Sequence, residues 1–150
     1  MKVSHMLTTP VFTNIYLCIM AIGYLMGYQS LLWSIACNLA FGSAIPFSLL
    51  PLFDPTAYCR QRHKHHLSVS LFYVGHIILH ILPCIFIIYH PPRPLYFHVS
   101  LAQIIKVLWA YCIVGSIYPD TIYVSLEKHV WHKMWVLVVI CQHIPLVFFD

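Results

Sequence analysis

Between Leu71 and Tyr89 the chain reads LFYVGHIILHILPCIFIIY, nineteen residues without a Lys, Arg, Asp or Glu. As a helix such a run is about 29 Å long, which matches the hydrocarbon core of a bilayer. It also contains His76 and His80, and Pro83 interrupts it. An ionisable side chain at membrane depth is costly unless partnered, so a spanning segment that keeps two of them points to function. His76 and His80 are four residues apart and share one helix face, with Tyr73 and Pro83 on or near it. What that face meets is the question the sequence poses.

The rest of the chain has the same character. Of 150 residues, 61% are apolar and 8% charged, against about half and about a quarter in soluble domains. The expectation is an all-α, polytopic membrane helix bundle forming one transmembrane domain over residues 1–150. Such a chain has no features of a nucleic-acid-binding domain, and its expected partners are membrane lipids. The six cysteines, Cys18, Cys37, Cys59, Cys84, Cys112 and Cys141, show neither CxxC spacing nor a His-spaced zinc pattern. They read as small packing residues rather than a disulfide framework, and no metal or cofactor is expected.

About five spans are expected: Val11–Tyr28, Leu31–Phe53, Leu67–Tyr89, Leu95–Tyr118 and Trp131–Phe149. No cleavage site follows the first run, which reads as a signal anchor. Pro46 and Pro51 are expected to kink the second span, and Gly42, Ser43 and Ala44 offer it a small-residue contact surface. Five spans place Lys2, Arg60, Arg62, Lys64, Lys128 and Lys133 on one side and Arg93 on the other. By the positive-inside rule the first side, with the N-terminus, is cytoplasmic. The basic, His-rich loop RQRHKHH at Arg60–His66 reads as an anchor against anionic headgroups rather than a metal site.

Several polar residues inside the spans could carry chemistry. An imidazole titrates near neutrality and can take a proton from a thiol or hydroxyl, so His76 and His80 are candidate bases or ligands. The alternative is that each only satisfies its ring nitrogens against a neighbouring helix. Cys18 and Asn14 are four apart on the first span, where Cys18 is a candidate nucleophile and Asn14 could orient it or stabilise an oxyanion. Thr13, from the same turn, competes with Cys18. Lys106 lies well inside the fourth span, three residues from Gln103, and could meet a lipid phosphate. Gln142 and His143 read as interfacial.

The run from Ser70 through the turn His90–Pro94 resembles the signature helix of the transmembrane protein 164 family of membrane acyltransferases. There an aromatic-rich stretch leads to a His, with a Pro seven residues on, as His76 and Pro83 stand here. The chain is also similar to the androgen-induced gene 1 family of lipid hydrolases, through Leu82-Pro83, Trp109, Gly115 and Tyr118-Pro119. The first resemblance implies a Cys nucleophile about sixty residues before the His, a spacing that Cys18 meets. The second implies a Thr, for which Thr13 is the nearest equivalent. Members of both families carry further spans.

Together these readings give a membrane-embedded acyltransferase or fatty-ester hydrolase acting on glycerolipids. His76 would activate Cys18 or Thr13, His80 would support it, and Lys106 would bind phosphate. The expected residence is the endoplasmic reticulum or another endomembrane. Two other classes fit parts of the pattern. One is a b-type haem protein, with His76 or His80 facing His143; the other is a scaffold or small transporter. On the enzyme reading, the His76/His80 face points toward Cys18 and Lys106.

Overall fold

The computed structural model describes residues 12–64, 66–92, 96–114 and 127–149, and every regular element among them is helical. The N-terminal segment, Gly115 and the Tyr118-Pro119 pair lie outside the described residues. Helix α1 (Phe12–Leu25) turns back into α2 (Leu31–Phe53). The turn needs Gly27, whose φ is +98°. Ser30 closes it from both sides. Its Oγ accepts from the Trp33 N–H at 3.2 Å, capping α2, and donates to the Gly23 carbonyl at 3.0 Å. The two helices touch closely there, because a Cβ on Gly23 would lie 2.7 Å from Trp33 Cα.

Helix α2 is the axis of the bundle. Every residue from Trp33 to Ala44 is buried, as expected of a helix that is apolar all round. Short α3 (Ala57–Lys64) follows it. The third long segment, Val69–Tyr89, consists of α4 (Val69–His76), a π-helical segment (Ile77–Ile81) and α5 (Leu82–Tyr89). Then come α6 (Tyr96–Val114), α7 (Lys128–Cys141) and α8 (Ile144–Phe149). Helices α1, α3, α5, α6, α7 and α8 and the π segment all pack on α2.

Among the described residues, three helical segments are long and apolar enough to cross a membrane: Leu31–Phe53, Val69–Tyr89 and His129–Phe149. Two shorter apolar stretches, Thr13–Leu25 and Val99–Leu108, lie in α1 and α6. The interior of the α2 stretch is 67% buried, against 17% for Val69–Tyr89 and 28% for His129–Phe149, so the other two turn broad faces outward. Those faces are apolar: Leu71, Val74, Ile78, Leu82, Val136 and Ile140 are all exposed. Apolar surface on this scale suits lipid rather than water.

Prolines shape the helices in ways the sequence did not show in detail. Helix α2 continues through Pro46 and Pro51. Pro51 has no N–H for the Phe47 carbonyl four residues back, and the Tyr58 hydroxyl donates to that carbonyl instead, at 2.6 Å. Pro83 likewise leaves the Leu79 carbonyl without its α-helical donor, and the Tyr16 hydroxyl of α1 donates to it. The π segment immediately before Pro83 is the local widening that admits the ring. The last span is broken by a turn at Gln142 and His143, where Pro145 has no N–H for the Cys141 carbonyl.

The small-residue surface of α2 is used as expected. A Cβ on Gly42 would overlap Cγ of the Gln142 side chain and lie 3.3 Å from the Val138 carbonyl. At one end of the bundle the Trp33 Nε1–H donates to the His90 carbonyl at 3.0 Å, and His90 stacks on Tyr28. At the other end Leu50, Ala57, Val130 and Met134 form a second core. There Asp54 pairs with Arg60 and accepts from the Thr56 N–H and hydroxyl. Arg60, helped by Thr56, holds the Asp54 carboxyl below its usual range against a smaller opposing effect of burial. A lowered carboxyl stabilises the fold above its unfolded pKa, and that contribution is lost as pH falls through the folded value. The Asp54 tether of α3 is therefore intact at neutral pH.

Tyr16→Phe is expected to lower stability in mixed micelles by roughly 1 kcal/mol, and adding Pro83→Ala, which supplies an N–H, is expected to recover most of it. Reversible unfolding of the single and double variants measures this. Equal stabilities for wild type and Tyr16→Phe would contradict the pairing.

Candidate functional site

The face shared by His76 and His80 meets α2. His76 Nε2 lies 3.1 Å from Ser48 Oγ. The His80 ring stacks on Phe47 with centroids 4.6 Å apart, and the two imidazoles are 5.2 Å apart. Tyr58 of α3 covers His76 at 6.0 Å between centroids. The segments fit because depth matches. Ser48 is five residues from the end of α2 and His76 seven from the start of α4, so both sit roughly 7–10 Å from the same end. His80 is buried, whereas His76 is half-buried.

The Ser48 hydroxyl also donates to the Ala44 carbonyl at 2.7 Å, the usual back-bond of a serine inside a helix. One proton cannot serve both acceptors. With the His76 proton on Nε2, His76 donates to Ser48 and Ser48 donates to Ala44. With the proton on Nδ1, Nε2 is free to accept from Ser48, and the pair has nucleophile and base in hydrogen-bond reach. The Nδ1 atoms of His76 and His80 are both buried, with no hydrogen-bond partner among the described residues. The arrangement is a serine–histidine pair, and among the described residues no carboxylate bonds the His76 ring.

One turn deeper lies a second polar contact. Lys106 of α6 is buried and donates from Nζ to Ser43 Oγ at 2.8 Å, while Ser43 donates to the Leu39 carbonyl at 2.7 Å.

The face does not turn its histidines to Cys18. Helix α1 reaches the π segment through Tyr16, which is fully buried and bonded to Leu79. Cys18, two residues on, points about 200° away on the helix and is exposed. No contact between Cys18 and His76 is present among the described residues. Thr13 and Asn14 are half-buried in the first turns of α1. The sixty-residue spacing that favoured Cys18 thus selects the right helix neighbour but the wrong side of it, because the larger aromatic residue takes the inner face.

His143, the expected facing ligand of a haem, is exposed and its Nδ1–H donates to Val139 of its own helix at 2.8 Å. Gln142, expected at the interface, is instead fully buried, with Nε2 directed at the Ala102 carbonyl at 3.4 Å. Among the described residues no three His, Cys, Asp or Glu side chains gather as a metal set.

Sequence reasoning missed Ser48. A lone serine in an apolar helix ordinarily bonds its own backbone, so residue type alone does not single it out. Its depth, matched to His76 from the common end, was the available signal. Comparisons with family models, curated proteins and solved structures give no match.

Ser43→Ala removes an acceptor from a buried ammonium and is expected to destabilise the protein by about 1–3 kcal/mol. Lys106→Met, an apolar chain of similar length, is expected to be nearly neutral. Unfolding in mixed micelles distinguishes them, and the reverse order would show that Lys106 is not held by Ser43.

Proposed function

We propose that this chain is a membrane-embedded acyl hydrolase or acyltransferase acting on ester lipids, with Ser48 as nucleophile and His76 as its base. The observation that carries the reading is the 3.1 Å approach of Ser48 Oγ to His76 Nε2, at an imidazole that is only half-buried. The likeness of the His76–Pro83 helix to the transmembrane protein 164 and androgen-induced gene 1 families supports the same chemistry, with the nucleophile moved from the first span to the second.

The step is acyl transfer. The Ser48 hydroxyl gives its proton to His76 Nε2 as Oγ bonds to the ester carbonyl carbon. The tetrahedral intermediate collapses, the acyl carbon–oxygen bond breaks, and the departing alkoxide takes the proton from His76. Water or the hydroxyl of a second lipid then attacks the acyl-serine, losing its proton to His76, and Ser48 recovers that proton as the acyl group leaves. His80, stacked on Phe47 beside His76, positions that ring. Lys106 donates to Ser43 and takes no part in the bond changes.

In this reading the chain spans the membrane five times, through α1, α2, Val69–Tyr89, α6 and α7 with α8. The helix ends bearing Arg60, Arg62 and Lys133 face the cytoplasm, with the N-terminus on that side. The endoplasmic reticulum is the proposed residence, since ester-lipid turnover is concentrated there.

A fluorophosphonate probe tests the nucleophile on purified protein in nanodiscs. Wild type and Cys18→Ala are expected to label and turn over ester lipid alike, Ser48→Ala not at all, and His76→Ala at least about a hundredfold more slowly. Full activity in Ser48→Ala, or loss in Cys18→Ala, overturns the assignment.

A further inference from the structure

Only one neutral form of His76 can act on Ser48. Nε2, 3.1 Å from Ser48 Oγ, accepts a proton only when the ring's own proton is on Nδ1. An imidazole settles between its two forms by the hydrogen bond that its other nitrogen makes. The partner of His76 Nδ1 therefore decides whether the pair can react. A carboxylate fills that place in other serine–histidine sites. Here the two carboxylates among the described residues are engaged elsewhere, Asp54 with Arg60 and Thr56, and Glu127 with His129.

An atom of the right kind lies beside it. His80 Nδ1, like His76 Nδ1, is buried without a hydrogen-bond partner among the described residues. The two rings are 5.2 Å apart between centroids and tilted by 42°. Both lean on Phe47, His80 at 4.6 Å and His76 at 5.2 Å. The π turn lies between them, with the Leu82 N–H bonded to the Ile77 carbonyl five residues back. That wider turn changes the angle between side chains four residues apart. The two nitrogens are complementary, because a neutral imidazole has one N–H donor and one acceptor. With its own proton on Nε2, His80 presents Nδ1 as an acceptor, and His76 in its reactive form presents Nδ1–H. They do not bond each other in the resting structure. Rings at this separation need only a change of ring angle to do so, and hydrogen bonds in a reactive site are often long until substrate binds.

Resting on the Ser48–His76 reading, we infer that His80 is a positioning residue with a defined chemical task. Its Nδ1 accepts from His76 Nδ1–H, and so holds His76 in the form whose Nε2 takes the Ser48 proton. When His76 gains that proton the same bond becomes charge-assisted and strengthens. His80 itself neither gains nor loses a proton, and the bond changes at the ester are unaltered.

The tautomer of His76 tests this in full-length protein carrying isotope-labelled histidine in nanodiscs. The nitrogen chemical shifts show which ring nitrogen holds the proton, and the His76 signal is assigned by its loss in His76→Gln. Wild type is expected to carry the proton on Nδ1. His80→Phe keeps a ring to stack on Phe47 but offers no acceptor. It is expected to move the His76 proton to Nε2 and to lower kcat on ester lipid by about ten- to a hundredfold, with KM unchanged. His80→Asn, whose side-chain oxygen accepts near the place of Nδ1, is expected to restore the Nδ1–H form and much of kcat. A wild-type His76 protonated on Nε2 overturns the role of His80 without any variant having to fold. So does His80→Phe that leaves the tautomer unchanged, or His80→Asn that behaves as His80→Phe does; either means that His80 only packs. In those cases fluorophosphonate labelling of Ser48 in wild type leaves the Ser48–His76 pair standing. Wild type that neither labels nor turns over ester lipid overturns that pair, and the role of His80 with it.

Discussion

Inside a bilayer no water is present to satisfy a backbone carbonyl that its own helix has abandoned. The interior prolines of this chain create such carbonyls, and two of them are met by tyrosine hydroxyls from other helices. Pro51 frees Phe47, which Tyr58 of α3 serves; Pro83 frees Leu79, which Tyr16 of α1 serves. Each bond joins two elements at a fixed depth. The first holds α3 over the bundle end, and the second docks α1 on the π segment. The dyad lies between these two fixings, with Phe47 and Tyr58 around His76 and His80.

Helix α2 turns those fixings into a site. Its small residues let α7 approach at Gly42, and its serines at 43 and 48 meet Lys106 and His76 from two different helices. Each serine donates to the carbonyl four residues back in α2, which leaves its oxygen to meet the neighbouring helix. Ser43 does so with both its donor and its acceptor capacity filled. Ser48 shares its hydroxyl between Ala44 and His76, and the proposed chemistry rests on that choice.

Much of this was legible in the sequence. The apolar run at Leu71–Tyr89 marked a spanning helix, and Gly42 to Ala44 marked a close helix contact. The position of His76 and His80 marked the face that packs on α2. Four features were not legible. The π segment depends on how a proline ring is relieved, which neighbouring helices decide. The burial of Gln142 depends on the approach of α7 to Gly42. The side of α1 that faces inward was misread because Cys18 was chosen for its chemistry, whereas packing chose Tyr16 for its volume and its hydroxyl. Ser48 was invisible for the converse reason: its chemistry exists only through a partner twenty-eight residues away.

The central claim is that the His76 face of the third segment meets Ser48 of α2 rather than Cys18 of α1. Cysteine cross-linking in native membranes tests it most directly, in a background with the other cysteines changed to alanine. The account predicts rapid disulfide formation on oxidation when Ser48→Cys is combined with His76→Cys, and none when native Cys18 is retained with His76→Cys. Cross-linking through Cys18, with none through position 48, would contradict it.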